Sequence, residues 1–161
     1  MEPLRINGLV IRPMACEDMA RVLEIEAASF PSPWTRVMFE AESAGNPFSR
    51  SLVAMPKETA EIVAYIVYWL MFDEVHFLNL AVETRFRRRG IGGALVKLVL
   101  EEGRKHGAAR ALLEVRESNA AARTFYEKLG FSEASIRKNY YDRPSENAVI
   151  LKRRLTEISA S

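Results

Sequence analysis

The sequence predicts one α/β domain built on a mixed sheet, and three features carry that prediction. Its 161 residues are one domain's length, and 48% hydrophobic with 27% charged residues is ordinary for a globular protein. Runs rich in β-branched and aromatic residues alternate with segments whose apolar residues recur at helical spacing. A strand–helix–strand unit from Glu74 to Arg116 should set its two strands parallel through a right-handed crossover.

Each element has its own signal. "NGLVIRP" reads as a short strand stopped by Pro13, and "CEDMARVLEIEAASF" as a helix with Met19, Val22, Leu23 and Ala27 on one face and acidic residues in its first turn. After the surface loop "FPSPW", Thr35 is placed to cap a second helix, which Gly45, Asn46 and Pro47 end before the strand "SRSLVAM". "EIVAYIVYWLMF" and "EVHFLNLAV" read as two long neighbouring strands divided at Asp73 and Glu74.

From Ile91 the residues Ala94, Leu95, Leu98 and Val99 make a strong helical stripe, with Gly103 and Gly107 as its expected end. "ARALLEVR" is the next strand. "SNAAARTFYEKLG" is a short helix with Ser118 or Asn119 as cap and Gly130 as stop, and "FSEASIRKNYY" and "NAVILKRRL" are the last two strands. The order is β-α-α-β-β-β-α-β-α-β-β, without internal repeat, low-complexity tract or linker.

Charge and composition narrow the function. A net charge of +2, from 23 basic and 21 acidic residues, disfavours a nucleic-acid coat. Cys16 is the one cysteine, and with His76 and His106 far apart there is no set with zinc spacing, so no metal is expected. "MEPLRINGLV" lacks the pattern of a secretion signal, and the longest apolar run, "VAYIVYWLMF", is far short of the ~18 residues of a membrane span. The expected setting is the cytoplasm, with no membrane partner.

"RFRRRGIGGALVKLVLEEG", Arg85 to Gly103, puts four arginines within five residues and three glycines within four at the start of a helix. Backbone N–H groups and the positive end of a helix dipole there suit a phosphate, while a merely solvated helix entry stays open. A Walker loop is excluded by the absence of GxxxxGK[ST], and a dinucleotide fingerprint by the spacing of "RRGIGG".

"LAVETRFRRRGIGGALV" resembles the acetyl-CoA-binding motif of the GNAT N-acetyltransferase superfamily, [QR]-x-x-G-x-[GA], with Arg87, Gly90 and Gly92 in its fixed places. The resemblance implies a GNAT fold spanning residues 1–161: a mostly antiparallel sheet of about seven strands with a parallel pair at the cofactor site, and about four helices. It implies that the backbone of Leu80, Ala81 and Val82 meets the pantetheine arm of acetyl-CoA. It gives the pyrophosphate to Arg88, Arg89, Gly90, Ile91, Gly92 and Gly93, with one or two arginine side chains near it and the others solvated.

"LLEVRESNAAARTFYEKLGF" is similar to the second motif block of that superfamily and, with "FPSPW", "LNLAV" and "RKNYY", resembles most its RimI type, the ribosomal-protein alanine N-acetyltransferases. By spacing alone Glu114 is a strand glutamate that could equally be ion-paired or solvated, Tyr126 a packing residue of a helix, and Asn119 a helix cap. The resemblance makes Glu114 the general base and Tyr126 the general acid, and adds a cofactor contact to Asn119. His76 and Cys16 are left out, because no third residue is visible to orient them.

One position departs from the pattern: RimI-type chains carry Glu-Asp before the last strand, and this chain has Glu146-Asn147. The expected acceptor is the N-terminal α-amine of a protein, a ribosomal protein by resemblance. A lysine or small-molecule amine is the alternative acceptor, and a coenzyme A-binding module without turnover the non-enzymatic one. The sequence does not specify the oligomeric state.

Overall fold

Asn7 and Gly8 both take positive φ, 50° and 78°, the combination that closes a tight two-residue hairpin whose twist matches its strands. They join β1 (Leu4–Ile6) to β2 (Leu9–Pro13), antiparallel with Leu4 opposite Ile11 and Ile6 opposite Leu9. The strand expected over "NGLVIRP" is β2, but Asn7 and Gly8, read as its start, are the turn, and the sequence does not predict β1 before them because three residues are too few to show a pattern. The computed structural model describes residues 2–155.

The remaining strands are β3 (Ser49–Pro56), β4 (Ala64–Met71), β5 (Glu74–Val82), β6 (Arg110–Arg116), β7 (Ser132–Asp142) and β8 (Ser145–Arg154). With β1 and β2 they form an eight-stranded sheet in the order β1-β2-β3-β4-β5-β6-β8-β7. Among the described residues four α-helices accompany it: α1 (Met19–Ser29), α2 (Arg36–Ser43), α3 (Ile91–Lys105) and α4 (Ala120–Lys128). The described residues divide into two compact units, one holding the chain through Trp69 and Asn79–Leu98, the other holding Leu70–Leu78 and the chain from Val99 onward.

In the first unit β1 to β4 form an antiparallel ladder around a core that includes Ile11, Val22, Ile25, Val53, Tyr65 and Ile66. A 3-10 turn, Cys16–Asp18, precedes α1, and Asp18 holds it: its carboxylate accepts from Ala15 N at 2.7 Å and from both terminal nitrogens of Arg12 at 2.6 and 2.9 Å. Glu26, on the buried face of α1, accepts from the Tyr65 hydroxyl, from Asn79 Nδ2 at 2.9 Å and from Trp34 N at 2.9 Å. Three donors satisfy this buried carboxylate, which ties the surface loop before α2 to the core. Thr35 caps α2 as expected, accepting from Met38 N at 3.3 Å.

In the second unit the parallel pair is present: β5 pairs with β6 from Glu74↔Arg110 to Phe77↔Leu113. β6 runs antiparallel to β8 from Arg110↔Arg154 to Arg116↔Ala148, and β7 pairs with β8 and is exposed along nearly its whole length. Two glycines end the helices by the same device. Gly107 (φ 83°) donates to Arg104 O and Ala108 to Gly103 O, while Gly130 (φ 89°) donates to Glu127 O and Phe131 to Tyr126 O. These are paired Schellman bonds around a left-handed residue.

Gly103, expected at the helix end, lies inside α3 instead. A Cβ there would come within 2.5 Å of Val75 Cγ2, so the missing side chain serves close packing of helix on strand.

Candidate active site

The arginine–glycine segment is a strand end, a short 3-10 turn (Thr84–Phe86) and the start of α3. Arg88 has φ 64° and Gly90 φ 81°, so the backbone turns twice through the left-handed region before the helix begins. The N–H groups of a first helical turn have no intrahelical acceptor and carry the positive end of the dipole. A Cβ at Gly90 or Gly93 would meet nothing within 4 Å, which leaves the open approach that a phosphate needs.

The four arginines differ in their partners. Arg85 pairs with Glu83 at 2.7 Å. Arg87 donates to Val82 O at 2.9 Å and to Ser29 Oγ at 3.2 Å, joining the end of β5 to the end of α1. Arg89 lies 5.0 Å from the Phe86 ring centroid. The motif arginine is thus a brace of the turn, and Arg88 and Arg89 are exposed on it.

Leu80, Ala81 and Val82 are the last three residues of β5, and Ala81 is buried between half-buried neighbours. The parallel register ends at Phe77↔Leu113, three residues before Leu80. Glu83 N, the next backbone donor, bonds Val63 O at 2.7 Å.

Glu114 lies on the face of β6 shared by Leu112 and Arg116, with Ala111, Leu113 and Val115 buried on the other. Its side chain is only 13% exposed, and His76 Nε2 lies 2.7 Å from Oε2. Arg137 Nη1 is 3.8 Å from Oε1. Burial works to raise the Glu114 carboxyl, but the hydrogen bond and charge of His76 and the charge of Arg137 outweigh it and hold the group below the usual range.

Asn119 is the cap of α4, accepting from Ala122 N at 3.1 Å, which settles the choice between it and Ser118. Tyr126 is 8% exposed, with its ring edge-on to Phe125 at 4.9 Å and Phe131 at 5.5 Å between centroids. Burial pushes its phenol well up, so the proton stays on oxygen throughout the neutral range. Glu114, Asn119 and Tyr126 belong to the second unit, and Leu80 to Val82 and Arg88 to Gly93 to the first.

Asn147, the position that departs from the RimI pattern, is well occupied. Its Oδ1 accepts from Asn139 N at 3.0 Å and its Nδ2 donates to Glu117 Oε2 at 3.0 Å. Asn139 has φ 54° within the irregular stretch of β7 between Arg137 and Tyr141. Arg116 lies 4.2 Å from the Tyr141 ring centroid and donates to the carbonyls of Pro144 and Arg143. Burial and the nearby Tyr140 and Glu114 push the Tyr141 phenol up to about 12.

His76, left out on sequence grounds for want of a partner, has one in Glu114. It is 38 positions from Glu114, and only the parallel register, His76 opposite Leu112, brings the two together. Facing positions on strands known to pair in parallel would have suggested the contact, but the register is not written in either strand's pattern. Among the described residues no three potential metal ligands converge, and no helix is long and apolar enough to cross a membrane.

A mostly antiparallel sheet with one parallel pair, whose first strand leads through a glycine-rich turn into a helix, defines an acetyl-CoA-dependent N-acetyltransferase. The chain belongs to the acetyltransferase (GNAT) family, whose model matches residues 19–131. The ribosomal protein bS18-alanine N-acetyltransferase of Escherichia coli (strain K12) is 36% identical over 136 residues, covering 83% of this chain and 89% of that one. The crystal structure of the ribosomal-protein-S18-alanine N-acetyltransferase from Escherichia coli matches with a TM-score of 0.82 at 30% identity, over 95% of this chain and 97% of that one. Ard1 from Thermoplasma volcanium matches with a TM-score of 0.83 at 30% identity, over 93% and 99%.

Proposed function

We propose that this chain, residues 1–161, works as one domain in the cytoplasm and acetylates the N-terminal α-amine of a ribosomal protein, with an N-terminal alanine as the favoured acceptor. Residues 1 and 156–161 of that span lie outside the described residues. The observation that carries the reading is Glu114, 13% exposed, bonded to His76 and near Arg137, in a chain whose relatives are named for bS18 alanine acetylation.

Acetyl-CoA supplies the acetyl group as a thioester. Arg88, Arg89, Gly90, Ile91, Gly92 and Gly93 hold the pyrophosphate through the backbone of the turn and the first turn of α3. Leu80, Ala81 and Val82 hydrogen-bond the pantetheine arm along the end of β5, and Asn119 adds a contact to the cofactor while capping α4.

Glu114 takes the proton of the acceptor nitrogen as the nitrogen–carbon bond forms, and Tyr126 gives its phenolic proton to the sulfur as the carbon–sulfur bond breaks. No covalent bond to the enzyme is needed. A single carboxylate suits an α-amine, with a reference pKa of ~7.8, better than a lysine at ~10.4, because at neutral pH a far larger share of α-amines is already neutral.

The test compares two peptides under identical conditions, one with a free N-terminal alanine and one with a blocked N-terminus and an internal lysine. Mass spectrometry should find the acetyl group on the first and not on the second. Equal use of both would overturn the α-amine reading.

A further inference from the structure

We propose that His76 is the positioning residue of the general base: it donates from Nε2 to Oε2 of Glu114 and leaves Oε1 as the oxygen that accepts the acceptor's proton. The inference rests on the reading of Glu114 as base.

Geometry sets the direction of the bond. The Glu114 carboxyl is held below the usual carboxylate range, so at neutral pH it only accepts, and the ring nitrogen 2.7 Å from Oε2 must carry the hydrogen. Both side chains are largely out of water, 15% and 13% exposed, where an oriented donor is worth more than at the surface. They project from adjacent parallel strands rather than from loops, so their separation is fixed by the ladder from Glu74↔Arg110 to Phe77↔Leu113.

The second oxygen is differently placed. Arg137 Nη1 approaches Oε1 at 3.8 Å, beyond direct hydrogen-bond length, and the Arg137 side chain is 54% exposed. Besides the His76 bond the carboxylate accepts only from its own backbone N–H among the donors that lower it, and Oε1 keeps accepting capacity on the side of Arg137. The other charged groups on this part of the sheet have their own partners: Glu74 pairs with Arg110 at 2.8 Å, and Arg116 with Glu146 at 3.5 Å. Tyr141, from β7, adds its phenol, and Lys152, opposite Leu112 on β8, adds an exposed ammonium. A base oriented by a third group that never touches the substrate is a familiar arrangement in acyl transfer.

Without His76, the burial that favours the protonated carboxyl acts with less opposition. His76→Ala should therefore lower kcat on the alanine peptide about tenfold at pH 7.5, leave the Kd of CoA within twofold, and move the acid limb of the kcat profile to higher pH. His76→Gln, which can present an N–H donor at similar reach without titrating, should restore most of kcat and return the limb toward wild type.

A wild-type profile in His76→Ala, or equal defects in the alanine and glutamine variants, would overturn the proposal. If the wild-type enzyme uses neither α-amine peptide nor any related one, it is the proposed function that fails. The 15N spectrum of the imidazole then still decides the contact. Nε2 should carry a hydrogen in the wild type and lose that preference in Glu114→Gln; an unchanged Nε2 signal would count against it.

Discussion

Asn147 Nδ2 donates to Glu117 Oε2 at 3.0 Å, and the same side chain accepts the Asn139 N–H at 3.0 Å. An aspartate at this position could keep the second bond but not the first, since a carboxylate has nothing to donate to Glu117. The substitution that distinguishes this chain from the RimI pattern therefore exchanges a charge for a bridge between the irregular stretch of β7 and the segment after β6.

Asn147→Asp should cost about 1 kcal/mol of stability, because two partly exposed carboxylates would face each other where one amide now bonds. The stretch it supports lies between Arg137, whose charge lowers the Glu114 carboxyl, and Tyr141, whose phenol Glu114 helps to raise. KM for the alanine peptide should rise about three- to tenfold, equivalent to at most ~1.4 kcal/mol. Adding Glu117→Gln supplies a donor from the other side and should restore both values; steady-state kinetics and urea unfolding of the single and double variants check this.

Gly103→Ala tests close packing against helix propensity. Alanine in a helix gains roughly 1 kcal/mol over glycine, but the added Cβ would lie 2.5 Å from Val75 Cγ2, and overpacking of this kind costs about 1–3 kcal/mol. Net destabilisation is expected in urea unfolding. Val75→Ala, by removing that methyl, should recover part of it in the double variant.

The Arg12–Asp18 pair predicts an acid dependence of stability. The Arg12 hydrogen bond lowers the Asp18 carboxyl, burial opposes it, and the Ala15 N–H lowers it further. A group depressed on folding contributes its full stabilisation above the unfolded value of ~3.9 and loses it as pH falls through the folded value. Asp18→Asn should therefore lie about 1–3 kcal/mol below wild type at pH 6, with the gap closing as unfolding is measured at pH 4 and then 3.

Gly90→Val should separate cofactor binding from folding. The φ of 81° makes a β-branched residue cost roughly 1–2 kcal/mol, while the space around the position means the fold meets no clash. The variant should remain folded by circular dichroism and bind CoA at least ~10-fold more weakly, or ~1.4 kcal/mol, by calorimetry. Undiminished affinity would remove the turn from the pyrophosphate site.

Tyr126→Phe keeps the ring between Phe125 and Phe131 and removes only the hydroxyl. A general acid of this kind contributes about 10²–10⁴-fold, so kcat should fall by at least ~10-fold with CoA affinity nearly kept. An unchanged kcat would leave Tyr126 as a packing residue.

Much of this architecture was determined by the sequence alone, because its signals are local. The stripe of Ala94, Leu95, Leu98 and Val99 makes a helix wherever it lies, Thr35 and Asn119 cap by bonding N–H groups three residues on, and Gly107 and Gly130 take the left-handed conformation that other side chains resist. The glycine-rich turn was legible for the same reason: strand, glycines and helix are consecutive. Tertiary structure decided what depends on partners distant in sequence. Gly103 reads as a helix end until Val75 packs against it, Arg87 as a free cation until it bonds Ser29, and His76 as an isolated ring until the parallel register sets it beside Glu114. Each of these contacts depends on which strand or helix lies alongside and in what register, and that is selected by burial of the whole sheet, a sum over many residues that no single stretch records.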